Sequence, residues 1–283
     1  MNLENYKILL QDSPQVLLGR IWARLCGGIV AKERWGVLDR PSYGYGILRA
    51  AQLGKFFGYE QVTICEFGVA HGNGLLSMIE LAEKITAATG IKFRIVGFDT
   101  GVGLPSFTGY KEHPEVWSKA DFALVDTALL KQKINGRAEL VIGDIKDTIG
   151  GFLKTVTKSS PIGFISVDVD LYSAACASLL SLTGPAEAYL PAVATYFDDV
   201  GFYFCNRWCG ELAAIEEFNG ENELRKIDID RTLPGKRPVK FARWYPQMYV
   251  CHILDHPLRQ TSQSRDSLNM QHHREYLVKH GIL

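Results

Sequence analysis

The sequence lacks an excess of charge of either sign, because its 283 residues carry 31 Lys and Arg against 31 Asp and Glu. A balanced chain has no strong electrostatic attraction for nucleic acid or an anionic membrane surface, so we expect neither partner. It also lacks a long apolar run, since the most hydrophobic N-terminal segment, 16–30, contains Arg20 and Arg24 and is too short to span a bilayer. No signal-peptide cleavage pattern is visible near the start.

Cysteine is scarce, and its spacing is not that of a metal site. The six cysteines, at positions 26, 65, 176, 205, 209 and 251, form no C-x-x-C pair. They lie mostly in apolar segments, and we expect Cys65 and Cys176 to be buried as small hydrophobic side chains. This usage favours a reduced, cytoplasmic setting. Internal repeats and low-complexity segments are also lacking.

The chain does contain a glycine-rich turn between an apolar run and an amphipathic segment. Glu66 ends the run, and Gly68, Gly72 and Gly74 follow it in the order E-x-G-x-x-x-G-x-G. The dinucleotide order is G-x-G-x-x-G, and a carboxylate at this turn would repel phosphate. It suits a cationic or amino-bearing ligand such as S-adenosylmethionine. The alternative is an ordinary tight turn that needs glycines for packing.

Two further acids follow the next strand-like runs. Asp99 ends the run 95–99, and a carboxylate at the tip of the second strand of a doubly wound sheet hydrogen-bonds ribose hydroxyls. Asp144 follows the run 138–142, where it could reach an adenine edge or simply cap the next helix. The predicted cofactor-binding residues are therefore Glu66, Gly68, Gly72, Gly74, Asp99 and Asp144.

The order of strand-like and helical segments predicts an α/β fold with a Rossmann-like, doubly wound and mostly parallel sheet. Strand-like runs at 163–168 and 192–199 continue the alternation after the first three. Helices are also predicted from the apolar residues Phe122, Val125, Leu129 and Leu130, and from near Cys205 to Phe218. The last two runs, 224–229 and 248–254, are expected to close the sheet as an antiparallel hairpin. Ligands of such sheets bind at the carboxyl ends of the strands, where these acids fall.

Two helices are predicted before the first strand, beginning near Pro14 and Pro41. They would form an N-terminal helical cap that could cover the site, make a contact between copies or seal a sheet edge. For a homo-oligomer, we expect the contact on the face of Trp22 and Leu25. The predicted divisions are a cap at 1–58, a core domain at 59–257 and a polar C-terminal tail at 258–283.

The acids after the fourth and fifth strands are a second chemical signal. Asp168 and Asp170 follow the fourth strand, and Asp198 and Asp199 follow the fifth. Carboxylates this close repel one another unless a proton or a cation intervenes, and Mg²⁺ prefers such oxygen ligands. The alternative is that Asp198 or Asp199 caps a turn and that Asp170 pairs with an arginine.

Taken together, these residues give a chain that resembles class I S-adenosylmethionine-dependent methyltransferases, and more narrowly the macrocin O-methyltransferase family. The resemblance covers about residues 60–255 and rests on the motifs at 66–69, 97–100, 103–105, 168–172 and 197–199. It implies methyl transfer to a hydroxyl of a small molecule or sugar, with Mg²⁺ held by Asp168, Asp198 and Asp199. Gly101 and Val102 replace the family's usual Phe-Glu, which leaves the acceptor contacts open.

The sequence assigns no general base. His71 in the glycine turn, and His252 and His256 near the last strand, are all candidates. Two other functions stay open at this point. One is an NAD-dependent oxidoreductase, which the glycine order and Glu66 disfavour, and the other is a non-catalytic S-adenosylmethionine-binding protein.

Overall fold

A computed structural model of the chain describes residues 13–107, 109–119, 121, 126–202, 204–235 and 237–260. The strands are β1 Gln61–Phe67, β2 Lys92–Asp99, β3 Glu139–Ile142, β4 Ile162–Val167, β5 Tyr189–Phe197, β6 Arg225–Ile229 and β7 Met248–Ile253. The helices are α1 Pro14–Cys26, α2 Ile29–Arg34, α3 Pro41–Phe56, α4 Asn73–Thr89, α5 Thr127–Ile134, α6 Ile145–Leu153, α7 Tyr172–Leu179, α8 Gly210–Glu221 and α9 Pro257–Gln260.

The seven strands form one sheet in the order β3-β2-β1-β4-β5-β7-β6. Strands β1 to β5 are parallel, and β7 runs antiparallel to both β5 and β6. The predicted fold class and closing antiparallel pair are therefore confirmed. Successive strands step outward in opposite directions from β1 and β4, so a ligand crevice is expected where these two strands end.

The central strands are buried because helices cover both faces of the sheet. In β1 every residue after Gln61 is buried, which explains why the strand reads as a continuous apolar run. Helix α4 lies on one face and contributes Leu75, Met78 and Ile79 to the hydrophobic core. Helices α6, α7 and α8 pack on the opposite face, in a second hydrophobic cluster.

Several element boundaries differ from those predicted. Helix α8 begins at Gly210 rather than near Cys205, because Asn206 forms a local turn by accepting a hydrogen bond from the Trp208 backbone N–H at 3.0 Å. Helix α5 begins after Asp126, whose carboxylate caps the Leu129 N–H at 2.8 Å. The other apolar residues of that predicted helix, at 122 and 125, lie outside the described residues. Helix α2 was not predicted.

The predicted N-terminal cap is continuous with the core. Helix α3 buries Ile47, Leu48 and Ala51, and a Cβ atom at Gly46 would lie 2.3 Å from a ring carbon of Phe164 on β4. This close approach explains a glycine inside a helix. Residues 1–12 of the predicted cap lie outside the described residues, and the boundary at 58 stays a prediction.

A buried ion pair joins the N-terminal helices to the segment between β6 and β7. Arg237 contacts Glu33 of α2, with 2.6 Å between Nη1 and Oε1, and its guanidinium lies 5.4 Å from the Trp244 ring centroid. Nearby, the Tyr45 hydroxyl donates to Asp230 at 2.7 Å. Paired polar groups among aromatic rings therefore hold the N-terminal helices against the segment between β6 and β7.

The outer face of α1 is exposed although its apolar spacing is helical. Ala23 is the only buried residue of the helix, whereas 54% of Trp22 and 77% of Leu25 is accessible to solvent. Periodicity identifies an apolar face but does not show what covers it. A contact between copies on this face stays a prediction, which light scattering would test. No helix in the described ranges has the length and apolarity that a membrane crossing requires.

The cysteines are free thiols in the structure. Cys65 is buried as predicted, and Cys251 is buried in the same hydrophobic cluster. Cys176 is only half-buried, because it lies on α7 toward the polar contact between Tyr172 and Glu217. The polar tail predicted for 258–283 is described only as far as α9, which ends at Gln260.

Candidate functional site

A cavity of about 560 Å³ opens at the carboxyl ends of the central parallel strands. Its size is typical of a small-molecule or cofactor site. The glycine turn, the loop after β2 and the acids after β4 and β5 all contribute to its wall. The predicted residues that line it are Glu66, Gly68, Gly74, Asp99, Asp168, Asp198 and Asp199, whereas Gly72 and Asp144 do not.

Glu66 lies almost completely buried at the end of β1. Its Oε1 atom accepts a hydrogen bond from the Tyr43 hydroxyl at 2.6 Å, and Tyr43 in turn accepts one from Ser166 Oγ at 2.9 Å. The Oε2 atom has no partner among the described residues. Burial raises the pKa of Glu66 to about 8, against the lowering effect of the Tyr43 hydrogen bond. A buried carboxylate with one free oxygen can receive a positively charged group.

The glycines of the turn are required by close contacts within the protein. Gly68 has a φ of +89°, and a Cβ atom there would lie 1.7 Å from the backbone oxygen of Asp168. A Cβ atom at Gly74 would lie 1.9 Å from Glu66 Oε1. Gly72 accommodates Leu130 of α5. Packing therefore explains the glycines, and it is the carboxylates around them that indicate a ligand.

Asp99 stabilises the glycine turn from the end of β2. Its Oδ2 atom accepts hydrogen bonds from the backbone N–H groups of Val69 at 3.0 Å and Ala70 at 2.8 Å. Its Oδ1 atom accepts one from the N–H of Gly101 at 2.7 Å. The side chain still lines the cavity, so the ribose role stays a prediction beside this observed one.

Asp144 takes the capping position that was the alternative to an adenine contact. Its Oδ1 atom accepts a hydrogen bond from the Lys146 N–H at 2.9 Å at the start of α6. The residue is exposed, and its neighbour Ile145 is the one that lines the cavity. An adenine contact by Asp144 is untested and stays a prediction.

Asp168, Asp170, Asp198 and Asp199 all line the cavity. Burial raises the pKa of Asp168, and the charges of Asp198 and Asp199 raise it further. Burial likewise raises the pKa of Asp170, with Asp168 as the next cause. No ion pair joins Asp170 to an arginine within the described ranges, contrary to the alternative considered from the sequence. Asp198 accepts a hydrogen bond from the Tyr196 hydroxyl.

A buried glutamate that the sequence analysis missed lies behind these aspartates. Glu211 of α8 accepts a hydrogen bond from the backbone N–H of Asp199 at 2.8 Å. Its Oε1 atom and Oδ2 of Asp199 are both buried without a partner among the described residues. Burial raises the pKa of Glu211 well above its usual range, with the charge of Asp199 as the next cause.

These oxygens have the chemistry of a magnesium site but not yet its arrangement. Carboxylate oxygens without partners are the hard ligands that Mg²⁺ accepts, so the donor set fits the ion. Across the part of the chain that the structure describes, however, no group of three or more His, Cys, Asp or Glu side chains is positioned to hold a metal. The set Asp168, Asp198 and Asp199 therefore stays a prediction.

Two N-terminal residues that were missed from the sequence belong to the site, one on the cavity wall and one buried against Glu66. Tyr43 of α3 fixes Glu66, as described above. Arg40, directly before α3, lines the cavity, and its guanidinium carbon lies 5.2 Å from the centroid of the Tyr43 ring. Their places in a helix start gave no local sign of this role, because the contacts depend on how α3 docks on the sheet.

The three candidate bases separate in the structure. His71 lines the cavity and is exposed. His252 lies on β7 between β5 and β6, and the ring of His256 is hydrogen-bonded to the carbonyl oxygen of Tyr189 at 3.0 Å. Burial lowers the pKa of both. Neither lines the cavity.

The loop after β2 forms another part of the cavity wall. Leu104, Pro105 and Trp117 give it an apolar surface, and Asp121 of the same loop also lines the cavity. The departure at Gly101 and Val102 does not reach it, because Gly101 turns the chain with a φ of +79° and Val102 is 72% exposed. Within this loop, residues 103–105 rather than 101 and 102 therefore line the cavity.

Comparison with known proteins supports the fold by structure rather than by sequence. No protein-family model matches the chain, and no curated protein is similar to it in sequence. CalS11, a calicheamicin methyltransferase, superimposes with a TM-score of 0.53 and 20% identity over 89% of this chain and 93% of that one. The two proteins share a fold.

Other solved structures superimpose less well on this chain. An apo structure of CalS11, described as a TDP-rhamnose 3'-O-methyltransferase, gives a TM-score of 0.44 and 19% identity over 89% of this chain and 95% of that one. An O-methyltransferase from Bacillus cereus in complex with S-adenosylhomocysteine gives 0.41 and 11% over 84% and 96%. The chain has the Rossmann-like fold of class I methyltransferases, with a closing antiparallel pair.

Proposed function

We propose that the protein is an S-adenosylmethionine-dependent O-methyltransferase that acts on a hydroxyl of a small molecule or sugar with the help of a divalent metal ion. The observation that carries this proposal is the free, buried Oε2 atom of Glu66 beside the glycine turn. A phosphate would be repelled there, whereas the ammonium of the cofactor's amino acid group would be attracted. The description of CalS11 as a methyltransferase supports the same reaction class.

On the cofactor side, Glu66 and Asp99 bind the cofactor and orient it. Glu66 receives the ammonium group, and Asp99 receives ribose hydroxyls while it holds the turn through the N–H groups of Val69 and Ala70. Because Tyr43 and Ser166 fix the Glu66 carboxylate, its position is set before the cofactor arrives. Such preorganisation contributes to rate by holding reacting atoms at near-attack distance.

On the acceptor side, Leu104, Pro105 and Trp117 give an apolar surface for the acceptor, and Asp168, Asp198 and Asp199 would hold the metal ion. When bound, the dication would lower the pKa of the acceptor hydroxyl and orient it. Of the histidines considered as bases, only His71 is on the cavity, and it is exposed. The base stays unassigned.

The cofactor is tested first by calorimetric titration with S-adenosylmethionine, S-adenosylhomocysteine and NAD. We expect the first two to bind at one site per chain and NAD not to bind. Binding of NAD alone would overturn the proposal in favour of the oxidoreductase. Cofactor binding without turnover of any acceptor would leave a non-catalytic binding protein as the better description.

Metal dependence is tested by a screen of hydroxylated sugars and phenols for release of S-adenosylhomocysteine, with and without a chelator. Chelation should abolish methyl transfer and leave cofactor binding intact, because Glu66 and Asp99 do not need the ion. Asp198→Asn should behave in the same way, whereas Asp147→Asn, at an exposed position on α6, should be fully active. Full activity in excess chelator would exclude the metal role.

A further inference from the structure

The carboxylates around the cavity suit the positive groups of the proposed cofactor but not its negative one. Among the described residues, seven Asp and Glu side chains line the cavity, which suits the sulfonium and ammonium groups of S-adenosylmethionine. The same cofactor also carries an α-carboxylate on the carbon that bears the ammonium. Carboxylates in close contact repel one another, so this group needs a positively charged partner.

Arg40 is the residue whose charge and position meet this requirement. It is the only Lys or Arg among the described residues that line the cavity. Its side chain has no hydrogen bond or ion pair with any described residue, and it contacts the face of the Tyr43 ring at 5.2 Å. A half-buried guanidinium with unused N–H donors is suited to bind a carboxylate with two parallel hydrogen bonds.

Tyr43 brings this cation and the Glu66 carboxylate to the same place. The ring face contacts Arg40, and the hydroxyl donates to Glu66 at 2.6 Å. The positive charge of Arg40 also acts on Glu66, opposing the effect of burial on its pKa. A guanidinium and a carboxyl group thus contact the same tyrosine, at the end of the sheet where β1 and β4 finish.

We propose that Arg40 binds the α-carboxylate of the cofactor while Glu66 receives its ammonium group, so that the two recognise the amino acid end as a zwitterion. This inference rests on the proposed binding of S-adenosylmethionine. It adds a specificity role for a residue before the first strand: Arg40 distinguishes cofactors that carry the carboxylate from those that lack it.

The test compares two ligands by calorimetry: S-adenosylhomocysteine and its decarboxylated analogue, which keeps the ammonium group. We expect the protein to bind the first about 10- to 100-fold more tightly, the effect of one charge-assisted contact. Arg40→Gln should weaken the binding of S-adenosylhomocysteine by that factor and leave the affinity for the analogue unchanged. Arg40→Lys should give an intermediate loss, because it keeps the charge without the planar fork.

Arg49→Gln is the matched control. Arg49 also follows the surface of α3, with its guanidinium 5.9 Å from the Tyr45 ring, but it does not line this cavity. It should change neither affinity. Thermal unfolding of each variant verifies that it is folded. If the Arg40→Gln variant does not fold, the comparison of the two ligands on the unaltered protein still tests the inference.

The possible results separate the inference from the proposed function. Equal affinity of the unaltered protein for both ligands would overturn the role of Arg40, as would an equal loss for both ligands in a folded Arg40→Gln variant. An equal loss would mean that Arg40 only supports Tyr43. Failure of the unaltered protein to bind S-adenosylhomocysteine at all would instead overturn the proposed function.

Discussion

Replacing Glu66 by glutamine should stabilise the protein at alkaline pH while it weakens cofactor binding. The amide keeps the shape of the side chain, and its oxygen can still accept the hydrogen bond from Tyr43. It removes a negative charge that is buried, with one oxygen unpaired. The folded protein without cofactor therefore no longer has to hold that charge.

The magnitude follows from the pKa of Glu66, which burial raises from 4.5 to about 8. At about 1.4 kcal/mol for each pKa unit, ionisation in the folded state costs roughly 5 kcal/mol. The folded protein holds its proton more tightly than the unfolded chain, so this cost develops as the pH rises from 4.5 and is complete above about 8. The new amide N–H₂ lacks a hydrogen-bond partner, and this loss offsets about 1–3 kcal/mol of the stabilisation. A net gain of about 2–4 kcal/mol remains above pH 8.

Urea denaturation of both proteins at a series of pH values from 5 to 9 measures this difference. The gap in unfolding free energy should widen with pH, because the glutamine variant lacks the titration. Glu139→Gln gives a control of opposite sign, since the hydrogen bond from Arg94 lowers the pKa of Glu139. Stability curves for the two proteins that stay parallel across this range would refute the reasoning.

Three further predictions concern the cofactor. Because Glu66 is mostly protonated at pH 7, binding of the cationic cofactor should release a proton, detected as a calorimetric enthalpy that varies with buffer ionisation, and affinity should rise with pH up to about 8. Asp99→Ala should weaken binding by about 1–3 kcal/mol through the lost charge-assisted hydrogen bonds, and an unchanged dissociation constant would contradict this role. Gly74→Ala should abolish measurable binding, since its Cβ would lie 1.9 Å from Glu66 Oε1, whereas Gly151→Ala, with nothing within 4 Å, should bind normally.

Much of the fold could be predicted because parallel strands buried on both faces produce local sequence signals. The apolar runs that end at Glu66, Asp99 and Asp168 do end at one edge of the sheet, and these three acids do line one cavity. The rule that ligands bind at the carboxyl ends of parallel strands then predicted where the cavity lies. Helix starts were less accurate where a side chain made a local turn, as Asn206 does before α8.

The contacts of the site that depend on docking could not be predicted. Tyr43 meets Glu66 across 23 residues of sequence, and Glu211 meets Asp199 from a helix that follows it. Neither partner differs from an ordinary helix residue in its local pattern. Apolar spacing along α1 was equally uninformative about burial, because Leu25 has the right spacing and is 77% exposed.

The docking of α3 also limits how this protein can be rearranged. A chain shortened to begin after residue 58 would lose Tyr43 and Ile47, both fully buried, and would leave Phe164 of β4 uncovered. The N-terminal helices therefore cannot be exchanged as a module between proteins of this fold without rebuilding the sheet face and the cavity wall together.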